Sequence, residues 1–465
     1  MTESIDHELP PKSTETTETS EFEKLNKKPS SAKSLIKNSD FVSLFVAGAI
    51  SEIGNYFTYI AIYFLALDLT DGLGIKVAAQ QIAYITFFLI IPSATLGPFT
   101  GALADRLDRK KIMYMFDLLG ALLTIGLIYV TTVSRSMYHI YAISFLAAVV
   151  RLFFYPARGA SIPKIVNDPT ELVSANGFIQ IFSQLSRIIG PALAGITIDL
   201  VGLEIAFIID GISFFISAIL IFTINTDLKP INNDGITMKK IGGDLIFGFQ
   251  MIINDRILTF VLFVFTIAIF LIGMIDPLFV TYLSYEFGLH ERDFGYILSL
   301  SAISGLISAL ILTARGDIQK KLTFSIFAVL IAGTSISLLG YAPQSSIPIF
   351  YLYAGMMIVG IVNVLFTIPL SSLLQTIVPN EHLGKINGLL GTSISLAQAG
   401  GAFLASQLAT KYAISLIFLG IGASCLIVGF LALAFIKILN LESLSAKKEK
   451  EMIVKTNKSP GVVVT

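Results

Sequence analysis

Gly101–Lys111 reads GALADRLDRKK, and from Asp105 onward six of its seven residues carry a charge. An apolar run ends just before this stretch and another begins just after it. Runs of roughly 20 or more apolar residues are long enough to cross a bilayer as helices. Such runs recur along most of the 465 residues, so the cluster reads as a tight, charged turn between two membrane spans. The composition agrees. The chain is 54% hydrophobic and 14% charged, with a mean hydropathy of +0.78, whereas a soluble chain carries about 25% charged residues.

Working outward from that turn gives twelve apolar segments, at about 41–67, 77–103, 112–132, 138–159, 173–200, 204–225, 257–284, 290–313, 322–341, 346–375, 386–410 and 413–438. The fold class is therefore all-α and membrane-embedded, with two pseudo-symmetric six-helix bundles. The expected division is a disordered tail over 1–39, a bundle over 40–225, a linker over 226–256, a bundle over 257–438 and a tail over 439–465. Of the 32 Lys and Arg residues, 26 fall on the side of both tails, 4 on the other side and 2 (Arg151 and Arg187) within segments. Arg158 counts with the 26. Lys and Arg accumulate on the cytoplasmic side, so both termini are expected in the cytoplasm of a multi-pass protein of the cell membrane. The halves echo each other. Asn176-Gly177 opens segment 5 as Asn387-Gly388 opens segment 11, and at the same offset Gly190 matches Gly401 and Ala194 matches Ala405. Arg315, Asp317, Lys320 and Lys321 repeat the charged turn more weakly. Repeated halves with a site at their interface are a common build of secondary transporters.

Several function classes drop out. Net charge is zero, so no nucleic-acid partner is indicated. Cys425 is the single cysteine, which excludes an intrachain disulfide and a multi-Cys metal site. There is no G-x-x-x-x-G-K-[ST] loop for ATP, and no cofactor or enzyme motif. Energy must come from an ion gradient or from the substrate's own gradient.

Charges inside the membrane cost about 2.5–3.5 kcal/mol or more, so each is a functional candidate. Glu52 lies near the middle of segment 1, on a stripe with Gly48, Tyr56, Tyr59 and Tyr63 and with Asn55 beside it. A carboxylate there could take up and release a proton or contact substrate. Alternatively it is a fixed partner of Arg151 or Arg187, which lie on the polar faces of segments 4 and 5. Those arginines bind an anionic group or neutralise Glu52. Asp276-Pro277 should kink the outer half of segment 7 and place a carboxylate at a wet mouth. Asp117 could join the charged turn, and Asp210 reads as a satisfied residue near a helix end. Asn363, Thr367 and Ser371 form a milder stripe on segment 10. An aromatic cavity with a carboxylate suits a bulky, amphipathic substrate.

Gly101-x-Leu103-Ala104-Asp105-Arg106-x-x-Arg109-Lys110 resembles the signature between the second and third helices of the major facilitator superfamily. Gly190-Pro191-x-x-Ala194-Gly195 resembles the Gly-Pro motif of its antiporters. Tyr155-Pro156-Ala157-Arg158-x-Ala160-x-x-Pro163 with Ala175-Asn176-Gly177 is similar to the drug:proton antiporter branch of macrolide efflux pumps and the enterobactin exporter. Two positions depart from these patterns: Asp108 stands where Gly is frequent, and Ser186 where the antiporter motif begins with Gly. The resemblance implies a secondary active transporter, a monomer, that exports amphipathic small molecules in exchange for H+ by alternating access. It further implies a gating latch: Asp105 near the start of helix 11 around Gly384–Gly388, with Arg106, Arg109 and Lys110 pairing with Asp168 and Glu171. Gly97-x-x-x-Gly101 would let helix 2 approach a neighbour closely. The rival readings are a carrier of an anionic metabolite or lysophospholipid, and a non-transporting sensor or scaffold.

Overall fold

The computed structural model describes residues 32–104, 107–166, 168–229, 238–316 and 318–458. Asp105, Arg106 and Asp317 lie outside them. A short α1 (Ala32–Lys37) leads into the first half: α2 (Ser39–Leu69), α3 (Ile75–Ala104), α4 (Arg109–Tyr129, prolonged by a π turn to Ser134), α5 (Met137–Ile165), α6 (Pro169–Val201) and α7 (Leu203–Phe222). Then come α8 (Met238–Asn254), α9 (Arg256–Ile272), α10 (Ile275–Phe287), α11 (Glu291–Arg315), α12 (Lys321–Tyr341), α13 (Pro348–Ile377), α14 (Asn380–Ala409), α15 (Ile414–Ile438) and α16 (Leu441–Lys458). Among the described residues, twelve spans are long and apolar enough to cross a bilayer, α9 and α10 forming one of them. A helix closes the hydrogen bonds of its interior within the segment, as hydrocarbon surroundings demand.

Several expectations change. Helices α6 and α14 each begin seven residues before their Asn-Gly pair, at Pro169 and Asn380. Asn176-Gly177 and Gly384–Gly388 are thus interior, and Asn176 Nδ2 donates back to the Leu172 carbonyl. The unpaired N–H groups of a helix start lie a turn earlier than Gly384. Segment 7 is broken rather than kinked, at Gly273-Met274. Pro277 sits in the first turn of α10, where its missing N–H costs nothing. The polar linker contains α8, and the C-terminal tail forms α16. Lys321 Nζ meets Glu449 Oε1 at 2.7 Å, and Thr323 N and Oγ1 donate to Glu442 Oε2. These contacts seat α16 under the second half.

The cores reveal how the halves meet. At the face away from the chain ends, one cluster joins both: Ile60, Leu65 and Phe207 from the first half with Leu278, Phe294 and Phe418 from the second. Toward the face carrying the chain ends the core splits in two. Phe41, Phe154 and Ile221 pack within the first half, and Ile257, Ile326 and Ile377 within the second. The halves are therefore sealed at the far face and part toward the tail face. Small residues make the seal. A Cβ on Gly195 of α6 would stand 2.5 Å from the Glu291 carbonyl of α11, and one on Gly295 would strike the Pro191 carbonyl. Helices α3 and α14 form the second seam, where Gln407 Nε2 donates to Tyr84 OH at 3.1 Å.

A Gly195→Val side chain cannot fit against that carbonyl, and overpacking costs about 1–3 kcal/mol. The substitution should shift the protein toward a far-face-open state. A Leu278→Cys reporter in a Cys425→Ser background reads this, because Leu278 is fully buried in the shared core. Its labelling by a membrane-impermeant maleimide from the far face should rise. Unchanged labelling would show that the glycine contact does not hold the face shut.

Candidate functional site

Glu52 is half-buried on α2, one turn after Gly48 and facing the interior of the first half. Its Oε1 accepts a hydrogen bond from Ser183 Oγ of α6 at 2.5 Å. No Lys, Arg or His nitrogen among the described residues comes within 4.0 Å, so neither Arg151 nor Arg187 is its salt-bridge partner here. Glu52, Asn55, Asp117, Arg151, Tyr155 and Arg158 line one narrow, nearly filled cleft. Asn55 spends its side-chain N–H on the Ser51 carbonyl of its own helix. Arg187 and Tyr155 are exposed, and Arg151 is partly buried.

Arg158 is the residue that sequence reasoning missed. Counted among the tail-side cations, it is 8% exposed and inside the protein, because α5 runs on to Ile165 through Pro156 and Pro163. Its guanidinium lies flat over Gly48, in space that any side chain at that position would fill. Its Nε has no hydrogen-bond partner. A buried cation without full pairing is costly. The signal for it was available, since an Arg at this point follows two turns after Arg151 on the same polar face.

Asp117 joins this cleft rather than the charged turn. It is 1% exposed, and Ser217 Oγ of α7 donates to its Oδ2 at 2.6 Å. Asp210, also 1% exposed, is held only in part: Ser213 Oγ donates to Oδ1 at 3.1 Å while Oδ2 has no partner. Two cations of the charged turn reach backbone carbonyls. Arg109 Nη1 donates to the Ala160 carbonyl at 3.0 Å and Lys110 Nζ to the Ile224 carbonyl at 2.7 Å. Asp108 caps α4 by accepting from Lys111 N at 3.3 Å. Gly101 lies in the last turn of α3. Among the described residues Gly97 does not make the expected close approach, and neither it nor Gly384 nor Gly388 would bring a Cβ within 4 Å of a neighbour.

The Gly-Pro motif has a clear physical role. Gly190 lets the Tyr56 ring lie against α6, Gly195 admits the α11 backbone, and the Pro191 carbonyl meets Gly295. Asp276 is not at an isolated mouth. It sits in the first turn of α10, where a helix N-terminus favours an anion. Tyr59 OH donates to its Oδ1 at 3.0 Å and Tyr63 OH to its Oδ2 at 3.5 Å. Tyr63 also shares 2.9 Å with Thr86 Oγ1. The two hydrogen bonds to Asp276 cross from the first half to the second. An exposed ion pair, Arg292 to Asp199 at 3.4 Å, spans the other seam.

Tyr59→Phe removes one donor to a carboxylate and should weaken far-face closure by about 1–2 kcal/mol, roughly five- to thirtyfold in the closed-to-open ratio. The same Leu278→Cys labelling measures it. An effect no larger than that of Arg292→Ala would place the closing energy elsewhere.

Comparison with known proteins agrees with this architecture. The family model for the Major Facilitator Superfamily matches residues 44–281 and 261–462. The uncharacterised MFS-type transporter YfiS of Bacillus subtilis (strain 168) is 24% identical over 441 residues, 92% of this chain and 99% of that one. Macrolide efflux protein A of Streptococcus pyogenes is 26% identical over 384 residues, 81% of this chain and 90% of that one. The crystal structure of the nucleoside transporter NupG superposes with a TM-score of 0.65 at 15% identity, over 86% of this chain and 99% of that one. With twelve apolar helices, a pair of joined halves and a family match over nearly its whole length, the chain is a multi-pass membrane transporter and belongs to the Major Facilitator Superfamily.

Proposed function

We propose that this transporter exports amphipathic small molecules in exchange for protons. Two six-helix bundles, residues 40–225 and 257–438, rock about the space between them. Both tails lie in the cytoplasm of the cell membrane, and the closed far face is the outer one. The observation that carries the reading is Glu52: a mid-membrane carboxylate with one hydroxyl partner and no cation within 4.0 Å among the described residues. A carboxylate in hydrocarbon with no cation to hold its charge is a candidate proton carrier. Glu52 takes up a proton on the outside as substrate leaves and gives it up on the cytoplasmic side as the next substrate binds. Arg151, Arg187, Asn55, Tyr56 and Asp276 face the same path. Similarity to a macrolide efflux protein supports outward transport of bulky cargo. In this cycle the charged turn is the tail-side latch. The open space at Gly97, Gly384 and Gly388 fits its released state. Asp105, Arg106, Arg109 and Lys110 engage when that face closes.

A second reading has its own support. Arg158 is buried with an unpaired Nε beside Arg151, and an anionic metabolite or a lysophospholipid head group would match that charge.

Efflux of ethidium and of a macrolide from energised cells lacking their own pumps separates these. Wild-type efflux should be abolished by a protonophore, and lost in Glu52→Gln and Asp105→Asn although both insert normally. Efflux unaffected by Glu52→Gln would remove Glu52 as the proton site. No efflux at all, with thermal stabilisation of the purified protein by anionic but not cationic ligands, would favour the second reading.

A further inference from the structure

The linker helix α8 is amphipathic twice over. One side is packed: Ile252 is buried in the second half's tail-side core. A Cβ added at Gly248 would stand 3.5 Å from the Lys385 carbonyl of α14, so the two helices run close there. The Phe247 ring meets His382 with centroids 5.1 Å apart, and Lys385 Nζ stands 4.9 Å over it. On the other side Ile246, Phe249 and Ile253 are 61%, 50% and 54% exposed. Spaced by three and four residues, they form one stripe. Gln250 and Asn254 border it and are exposed as well.

The position of the stripe identifies what covers it. The helix has 17 residues, about 26 Å of rise, too short for a hydrocarbon core of about 30 Å. It ends one residue before the span that begins at Arg256. The single intervening residue, Asp255, is extended and caps α9 by accepting from Ile257 N and Leu258 N at 3.0 and 3.1 Å. Thr259 Oγ1 ties the two helices further by donating to the Ile252 carbonyl at 2.7 Å. The C-terminal end of α8 is therefore held at the bilayer boundary. Beyond this junction α9 exposes apolar residues of its own, such as Phe263. A short helix with one apolar face at this level lies in the interface plane.

We propose that Ile246, Phe249 and Ile253 dock into the boundary between lipid headgroups and acyl chains, so that the linker between the halves is a lipid-anchored strap. Helix α8 also touches α3 and α14, the two helices of one seam between the halves. The bilayer thus restrains the tail-side end of that seam, whatever the cargo and whichever way it moves. The inference is independent of the function proposed above.

The chain has no tryptophan, so Phe249→Trp in the full-length protein installs a single fluorescent reporter. Phe263→Trp marks a deeper position, and Ile253→Trp reads the same stripe if F249W does not insert. Each variant goes into vesicles of phosphatidylethanolamine and phosphatidylglycerol with bromines at shallow or deep acyl positions. Emission from F249W and I253W should be blue-shifted and quenched most by shallow bromines. F263W should be quenched most by deep ones. Water-like emission quenched by aqueous iodide and not by brominated lipid would overturn the proposal. Protection from both quenchers would also overturn it, since a protein surface would then cover the stripe.

Discussion

The backbones of α6 and α11 touch with no side chain between them, at Gly195 and Gly295. Lipid supplies no hydrophobic drive for helices to associate, so close packing at small residues has to do that work. Here the contact falls at one end of the molecule only. Sealing that end fuses the two halves into a common core, and the long rigid helices diverge from it toward the tail face. The shape of the central space, the exposure of Arg187 and Tyr155, and the vacant surroundings of Gly97 and Gly384 all follow from where that contact is made.

The membrane spans were legible because hydrocarbon leaves a chain few choices. A run of apolar residues between charged turns has to be a helix. The Asn-Gly echo was legible too, and the equal seven-residue lead before each pair supports an internal repeat more strongly than the pair itself. What escaped were helix ends and what lies beyond them. Asp168-Pro169-x-Glu171 carries a start signal, with Pro at the first helical position and an acid at the third, yet the apolar run begins later and drew attention away from it. Gly273 marked the break in segment 7, but unbroken hydropathy on both sides hid it. Helix α16 is polar along most of its length. What holds it is tertiary: buried Lys321 meets Glu449, and Thr323 donates to Glu442.

The site was legible in its members and not in its pairings. Glu52, Arg151 and Asp117 stood out because charge in hydrocarbon is rare. Which of them meet depends on rotation about each helix axis, and a single sequence does not fix that. Arg158 illustrates the limit. By hydropathy it lies at the end of a span, where a cation normally reaches water. Gly48 on α2 opens a slot that lets the guanidinium turn inward instead. A vacancy on one helix thus decides the environment of a charge on another.

A transporter that alternates needs two closed faces of nearly equal energy, since a ligand can shift an equilibrium only by its differential affinity. The far face is held by backbone contact, an exposed ion pair and the phenols on Asp276. The ion pair contributes little, because exposed pairs are worth about 0–1 kcal/mol. Backbone contact is fixed by shape and does not respond to any ligand. That leaves the phenol–carboxylate cluster as the adjustable part of the closure. A proton on one Asp276 oxygen would occupy a site that Tyr59 or Tyr63 now uses. The cluster lies on the same helix, α2, as Glu52, about two turns from it. One rigid helix therefore carries both the unpaired mid-membrane carboxylate and the donors that hold the far face. A movement of that helix would carry both sites together.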